Sequence, residues 1–436
     1  MTPLLIAALA SADDGLSIDA ALTRAVGESE AVELALAAVD RAAGERWRAR
    51  ASLFPVVQFT TGYTHTFKSE FDRLFPDTGA PSLPFGQAET WRTGFGLTQP
   101  IFGGGRASAG LKIAAASALS ADAGVDAAHA QAALSAAQAY FDAALADRLL
   151  EIARDAFVQA EATRDNTRLA NEVGRKPDFE LLRAEVEANN RSVAVIRAER
   201  AAESAHLRLA QLLDLPPAAA ATLTTPVEDA APVAEAAVGA ADLGAVPAER
   251  LPVLQARQAV VISERTVAVS RAQFFPNLSF SASYGWTQYP TDGVLPTFAD
   301  KAWYPGASAA FNLAVPLFNG GRVHGDLRVA QATAREARAR AEQATEQARL
   351  EAVDAVGEIR SVEAGWTATE GTVAQAQKAY AIAELRFQEG VSTQVELSDT
   401  RLLLQQALAN RAQAARDLQV ARIRSALLPY LPLSSR

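Results

Sequence analysis

The segment LTQPIFGGGR, at residues 97–106, ends an alternating pattern of apolar and polar residues with a proline and three glycines. It is followed by a stretch without proline that lasts to Pro177, and a near copy, LAVPLFNGGR, stands at 313–322. Alternation predicts a strand, and a long uninterrupted stretch predicts a helix. The same passage from a strand into a long helix is therefore expected twice in this chain.

The two copies belong to a longer internal repeat. Phe102 and Phe318 are 216 residues apart, and the same offset relates Gly174 to Gly390. Upstream of them, RASLFP and RAQFFP match with an offset of 221. Matches in this order indicate a tandem duplication of about half the chain. The predicted division is a possible export signal at 1–12, repeat one at 13–216, an Ala/Pro/Thr-rich linker at 217–246 and repeat two at 247–436.

Each repeat is expected to contain a helix, two strands, a long helix and a second helix. The predicted strands lie at about 55–67, 91–101, 276–288 and 303–316. The predicted helices that follow them lie at about 105–172, 177–214, 321–388 and 392–428.

The N-terminal sequence MTPLLIAALASADD resembles an export signal, because an apolar run precedes the small residues Ala10, Ser11 and Ala12. The run is short and no Lys or Arg precedes it. A wrongly assigned start codon or an ordinary apolar N-terminus therefore remains an alternative.

Composition excludes several classes of protein. The chain has 41 Lys and Arg against 50 Asp and Glu, a formal net charge of -9, which argues against binding nucleic acid. The absence of cysteine excludes thiol chemistry, and the four histidines are scattered without ligand spacing, so we expect no metal, no cofactor and no enzyme. GGGR and NGGR lack the Lys-Ser/Thr of a phosphate loop, and a glycine-requiring turn explains them.

The predicted strands have one apolar face and one small, polar face. In repeat two, Leu278, Phe280 and Tyr284 alternate with serines, and the returning strand begins at Trp303. A half-solvated sheet in a water-soluble α+β protein has the same pattern. Strands of about 10 to 13 residues can also cross a bilayer, and long loops at 68–89 and 290–301 join them. Four strands cannot close a barrel, so the membrane interpretation requires several chains to share one.

The predicted long helices do not suit a compact domain. Residues 106–171 contain no proline, and a helix of that length would extend on the order of 100 Å. Alanine-rich seams such as AAQAYFDAALA favour close side-by-side packing as a coiled coil. Gly174 and Gly390, which end these stretches, are predicted C-caps with left-handed backbone.

The duplicated order, the strand-Pro-aromatic-Gly-Gly-Arg motif and RFQEGVSTQVELSDTRLLL at 386–404 resemble TolC-type outer-membrane efflux proteins, over about residues 15–428. The resemblance implies a mainly α fold with membrane β-structure: a homotrimeric 12-stranded outer-membrane β-barrel, four strands per chain, continuous with a long α-helical coiled-coil periplasmic barrel. It places the protein in the outer membrane of a Gram-negative bacterium, in contact with lipid and extending into the periplasm.

The implied function is the passive exit duct of a tripartite efflux or type I secretion system. Its implied partners are a periplasmic adaptor (membrane fusion) protein and an inner-membrane pump of the RND or ABC type. Multidrug efflux, metal-ion efflux and protein secretion all fit this architecture. The alternative is a periplasmic or surface coiled-coil scaffold without transport activity.

The resemblance also implies a gate at the periplasmic end. Acidic residues that narrow the lumen fall on Glu396 and Asp399, although an ordinary solvated helix face is the alternative for this pair. Phe387 and Ser392 stand where some family members carry a tyrosine and an arginine that hold the closed state. Phe387 lacks the hydroxyl and Ser392 lacks the charge, so that latch is not expected here.

The two hairpin tips are the adaptor contacts that the resemblance implies, and plain helix turns are the alternative. The residues concerned are Gly174, Arg175 and Lys176 in repeat one and Gly390, Val391 and Ser392 in repeat two.

Overall fold

A computed structural model describes residues 15–68, 88–216, 222–228, 250–290, 295–296 and 303–434. The predicted export signal, most of the linker and most of both strand-connecting loops lie outside these residues. Eleven elements are described: α1 (Ile18–Glu28), α2 (Glu30–Ala51), β1 (Val56–His65), β2 (Glu89–Phe102), α3 (Arg106–Glu172), α4 (Asp178–Leu212), α5 (Leu251–Ala272), β3 (Asn277–Gln288), β4 (Trp303–Ala314), α6 (Arg322–Gln388) and α7 (Gln394–Leu427).

The chain divides into two compact units. Within the described residues, unit one comprises 15–39, 121–255 and 341–434, and unit two comprises 40–120 and 256–340. The four strands belong to unit two, and both reversals between long helices belong to unit one. The expected mainly helical fold with four antiparallel strands is confirmed.

Unit two contains a single described sheet, in which the strands follow chain order, β1-β2-β3-β4, and every pair is antiparallel. The edge strands are therefore β1 and β4, and all of β1 is exposed. Cross-strand aromatic pairs line the sheet, with ring centroids 5.2 Å apart for Phe59 and Phe95 and 5.1 Å apart for Phe280 and Phe311. Phe59 and Phe311 are 60% and 72% exposed, so a large apolar surface of the sheet is uncovered in the single chain.

The strand pair β2–β3 joins the two predicted repeats through a contact between glycines. Gly94 and Gly285 are register partners, and a Cβ added to Gly94 would lie 2.6 Å from the Cα of Gly285. A Cβ added to Gly285 would lie 2.6 Å from the carbonyl oxygen of Thr93. Backbone atoms cannot give way as a flexible side chain can, so both positions require glycine.

Unit one has its core around two aromatic residues of α3. Tyr140 and Phe141 are fully buried among alanines and leucines from α1, α4 and α7. The Tyr140 hydroxyl donates to the carbonyl of Leu16 at 2.9 Å and accepts from the backbone N–H of Thr225 at 3.0 Å. One hydroxyl therefore fixes both the N-terminal segment and the inter-repeat segment 222–228 to the long helix.

Among the described helices, none is both long enough and apolar enough to span a membrane.

We predict that Gly285→Ala destabilises the protein by about 1–3 kcal/mol, because the added methyl overpacks the β2–β3 contact. Gly96→Ala in the central strand β2 is the matched control, since a Cβ there meets only the Gln58 side chain, at 3.7 Å, an ordinary contact. Thermal unfolding of both variants in the same detergent measures the difference. Equal midpoints would contradict the requirement for glycine at this contact.

Candidate functional site

The first helix reversal of unit one, which we call tip one, joins α3 to α4 through Gly174. Gly174 has φ +72°, its N–H donates to the carbonyl of Asn171 at 2.8 Å, and the Arg175 N–H donates to the carbonyl of Ala170 at 2.8 Å. This pair of hydrogen bonds around a left-handed residue is the Schellman arrangement, which satisfies the last carbonyls of a helix. The Asn171 side chain adds a bond to the carbonyl of Lys176 at 2.9 Å.

The second reversal, tip two, joins α6 to α7 through Gly390 and repeats the arrangement. Gly390 has φ +75°, its N–H donates to the carbonyl of Phe387 at 3.1 Å, and the Val391 N–H donates to the carbonyl of Arg386 at 2.8 Å. The predicted left-handed glycine caps are thus confirmed at both positions. The glycines that follow β2 and β4 are also related by the offset of 216 residues. Gly104 and Gly320 both have φ +64°.

The two predicted gate carboxylates have different surroundings. Glu396 lies in the first turn of α7, where its N–H donates to the capping hydroxyl of Thr393 at 3.4 Å. Its carboxylate accepts from Arg386 Nη1 at 2.8 Å, across tip two. Asp399 is exposed and has no ion-pair partner among the described residues. In the single chain Glu396 is therefore partly neutralised, whereas Asp399 is a free surface charge.

Phe387 and Ser392, the other predicted gate residues, are both partly buried. The Lys176 ammonium lies 3.7 Å from the centroid of the Phe387 ring, and it also pairs with Glu180 Oε2 at 3.1 Å. The Ser392 hydroxyl oxygen is buried and has no hydrogen-bond partner in the described part of the chain. Tip one therefore reaches tip two through Lys176, a contact that sequence reasoning missed.

Further from the tips, α7 carries a buried arginine that sequence reasoning also missed. Arg401 is 2% exposed, and its Nη2 donates to Thr163 Oγ1 of α3 at 3.0 Å. Its guanidinium lies 5.8 Å from the ring centroid of Tyr380 in α6. Burial raises the pKa of the Tyr380 hydroxyl, while the neighbouring Arg401 acts in the opposite direction. This single side chain connects three helices of unit one.

The described residues contain no group of three or more His, Cys, Asp or Glu that could hold a metal ion. His65 pairs with Glu89, and His206 pairs with Asp147. The hydrogen bond that His206 Nε2 donates to the Asp147 carboxylate raises the pKa of His206, against the opposing effect of burial. Each of these two histidines bonds to a single carboxylate.

Several solved structures share this fold at low sequence identity. The outer membrane protein VceC from Vibrio cholerae is 21% identical, with 94% of this chain and 95% of that chain covered and a TM-score of 0.76. A membrane protein from Pseudomonas aeruginosa is 19% identical, with 94% and 90% covered and a TM-score of 0.80. The open state of the Neisseria gonorrhoeae MtrE outer membrane channel is 20% identical, with 94% and 88% covered and a TM-score of 0.78.

A comparison with curated proteins gives no significant match. This chain, with its small antiparallel sheet and long helices, shares its fold with these outer-membrane proteins. Residues 21–214 and 245–427 match the outer membrane efflux protein family, and the chain belongs to that family. It is accordingly an outer-membrane exit duct and not an enzyme.

We predict that Gly390→Ala destabilises unit one by about 1–2 kcal/mol, because alanine is strained in the left-handed region. Gly371→Ala, inside α6 and with no atom within 4 Å of the added Cβ, is expected to stabilise by about 0.5–1 kcal/mol. Thermal unfolding should therefore move the two midpoints in opposite directions. An unchanged or raised midpoint for Gly390→Ala would contradict the cap assignment.

Proposed function

We propose that three copies of the chain form one duct, each contributing its four-stranded sheet to a shared 12-stranded barrel. The observation that carries this proposal is the sheet itself, whose edge strands β1 and β4 have no neighbouring strand among the described residues. An open edge in lipid leaves backbone groups without hydrogen bonds, at a cost of several kcal/mol per group. Other copies of the same chain supply complementary edges, and closed rotational symmetry is the common outcome for identical subunits.

The duct operates, in this proposal, as the outermost part of a tripartite system. Tips one and two form the periplasmic end and dock a periplasmic adaptor protein, which connects to an inner-membrane pump of the RND or ABC type. Arg175 and Val391 are exposed at the two tips, and Val391 is 70% exposed. An exposed cation on one tip and an exposed apolar side chain on the other suit a partner surface that offers both a carboxylate and an apolar patch. Export of small molecules and secretion of proteins are both compatible with this assignment.

Glu396 and Asp399 of three chains form the gate of the proposed duct. Their side chains surround the common axis and narrow the lumen there. Six carboxylates around one axis attract cations, as acidic rings do in cation-selective pores. The Arg386 partner of Glu396 weakens that ring, so Asp399 supplies the greater part of the field. Opening requires tip one and tip two to move apart. Phe387 and Ser392 lie at the contact between the tips that this movement changes.

We predict that Asp399→Ala lowers the affinity of a trivalent cation blocker, hexaamminecobalt(III), added from the periplasmic side, by about tenfold or more. Glu396→Ala should have a smaller effect, because its charge is already paired, and the double variant should show the largest effect. Single-channel recordings in planar bilayers measure the blocking concentration.

The matched control for this prediction is the double variant Glu346→Ala with Glu370→Ala. Both glutamates are exposed on α6, have no ion pair among the described residues and lie away from the tips. The control removes two negative charges per chain, as the double variant of Glu396 and Asp399 does. It should leave the blocking concentration of hexaamminecobalt(III) unchanged. Equal block in Asp399→Ala and the wild-type protein would contradict the gate assignment.

A further inference from the structure

Lys176 is placed where it connects the two hairpins of unit one, α3–tip one–α4 and α6–tip two–α7. It stands two residues after Gly174, and its ammonium lies 3.7 Å from the centroid of the Phe387 ring, three residues before Gly390. The same ammonium pairs with Glu180 Oε2 at 3.1 Å, and its side chain is only 21% exposed. The cation is thus held between a carboxylate of its own hairpin and an aromatic face of the other.

The chemistry of this contact depends on the residue at position 387. A phenylalanine ring has no hydroxyl to donate to an acceptor on tip one, but its negative face attracts a cation. A carboxylate such as Glu180 would be repelled by that face if it approached without a cation between them. Lys176 supplies the cation, and Glu180 holds it in place.

We propose that Lys176 and Phe387 form a latch that holds tip one and tip two together in the closed duct. This inference rests on the proposed function, because a latch has a role only if the tips separate to open a gate. It also changes the expected role of Lys176 from an adaptor contact to an internal one. Its ammonium is directed at its own chain, so the exposed side chains among the predicted tip residues are those of Arg175 and Val391.

The latch joins the C-terminal end of α6 to the segment immediately before α4. Movement of one hairpin away from the other must therefore break it. The neighbouring Arg386–Glu396 pair connects the two arms of tip two only, so its ions stay together during such a movement. The Lys176–Phe387 contact is consequently one of those that separation of the hairpins breaks. The Gln394 side chain of α7 also donates to the carbonyl of Glu180 in α4, and Arg401 of α7 bonds to Thr163 of α3 farther from the tips.

The test compares open-time fractions in planar bilayers for purified wild-type protein and variants, without adaptor or pump. Lys176→Met removes the charge and keeps an unbranched chain, and Phe387→Leu removes the ring. Each is expected to raise the fraction of time in the open state on the order of tenfold, as the loss of a partly desolvated cation–π contact predicts. The double variant should match either single variant, because both remove one interaction.

Two conservative variants and one control complete the design. Lys176→Arg and Phe387→Tyr keep a cation and a ring and should retain most of the wild-type closure. Lys378→Met makes the same chemical change on an exposed face of α6, and it should behave as the wild-type protein does. Size-exclusion chromatography of each variant confirms that the assembly is intact before recording.

The outcomes separate the latch from the proposed duct. A wild-type protein that conducts while Lys176→Met and Phe387→Leu gate like Lys378→Met would overturn the latch and leave the duct standing. Additive effects of the two substitutions would likewise overturn a shared contact. If neither the wild-type protein nor any variant conducts, the duct itself fails and the latch fails with it.

Discussion

The open edges at β1 and β4, which pair with no further strand in the part of the chain that the structure describes, are the constraint on which the rest of the structure depends. A four-stranded sheet has two edges, and in hydrocarbon each unpaired N–H or C=O costs several kcal/mol. The apolar surface of the sheet requires lipid or protein to cover it, and its edges require more strands. A single chain therefore cannot place this sheet in a membrane, and the proposed sharing of one barrel among copies follows from that requirement.

A few special residues occupy matching positions in the two predicted repeats. Left-handed glycines follow each pair of strands and also stand at each tip, where they let the chain turn at corresponding positions of the two predicted repeats. The close Gly94–Gly285 contact lets the strands of the two repeats lie side by side. Alanine-rich helix faces, such as those around Tyr140, allow long helices to approach closely.

Much of this fold could be predicted because it depends on local periodicity. Alternation in segments such as 277–286 identifies strands, and the absence of proline between Arg106 and Pro177 identifies a long helix. The left-handed conformation of Gly390 was predictable because a glycine ends that helical pattern. Placement of Glu396 and Asp399 at a gate depended on family resemblance, since an acidic pair on a helix also suits solvent.

The contacts between hairpins could not be predicted, because one sequence does not say which helices pack together. The sequence predicts only that Lys176 is a tip residue. The structure adds that its ammonium lies over the Phe387 ring. Arg401 belongs to a predicted helix, but nothing in the sequence indicates that its side chain is buried against Thr163. Arg386 and Glu396 are only ten residues apart, on either side of a predicted turn. Their pairing could not be predicted, because it depends on the geometry of tip two.

The most direct test of this account is electron microscopy of the full-length protein, extracted from outer membranes in mild detergent and analysed for rotational symmetry. The account predicts hollow particles with three-fold symmetry, in which four strands from each copy close one barrel. Monomeric particles, or rods without a lumen that stay dispersed when detergent is removed, would contradict it.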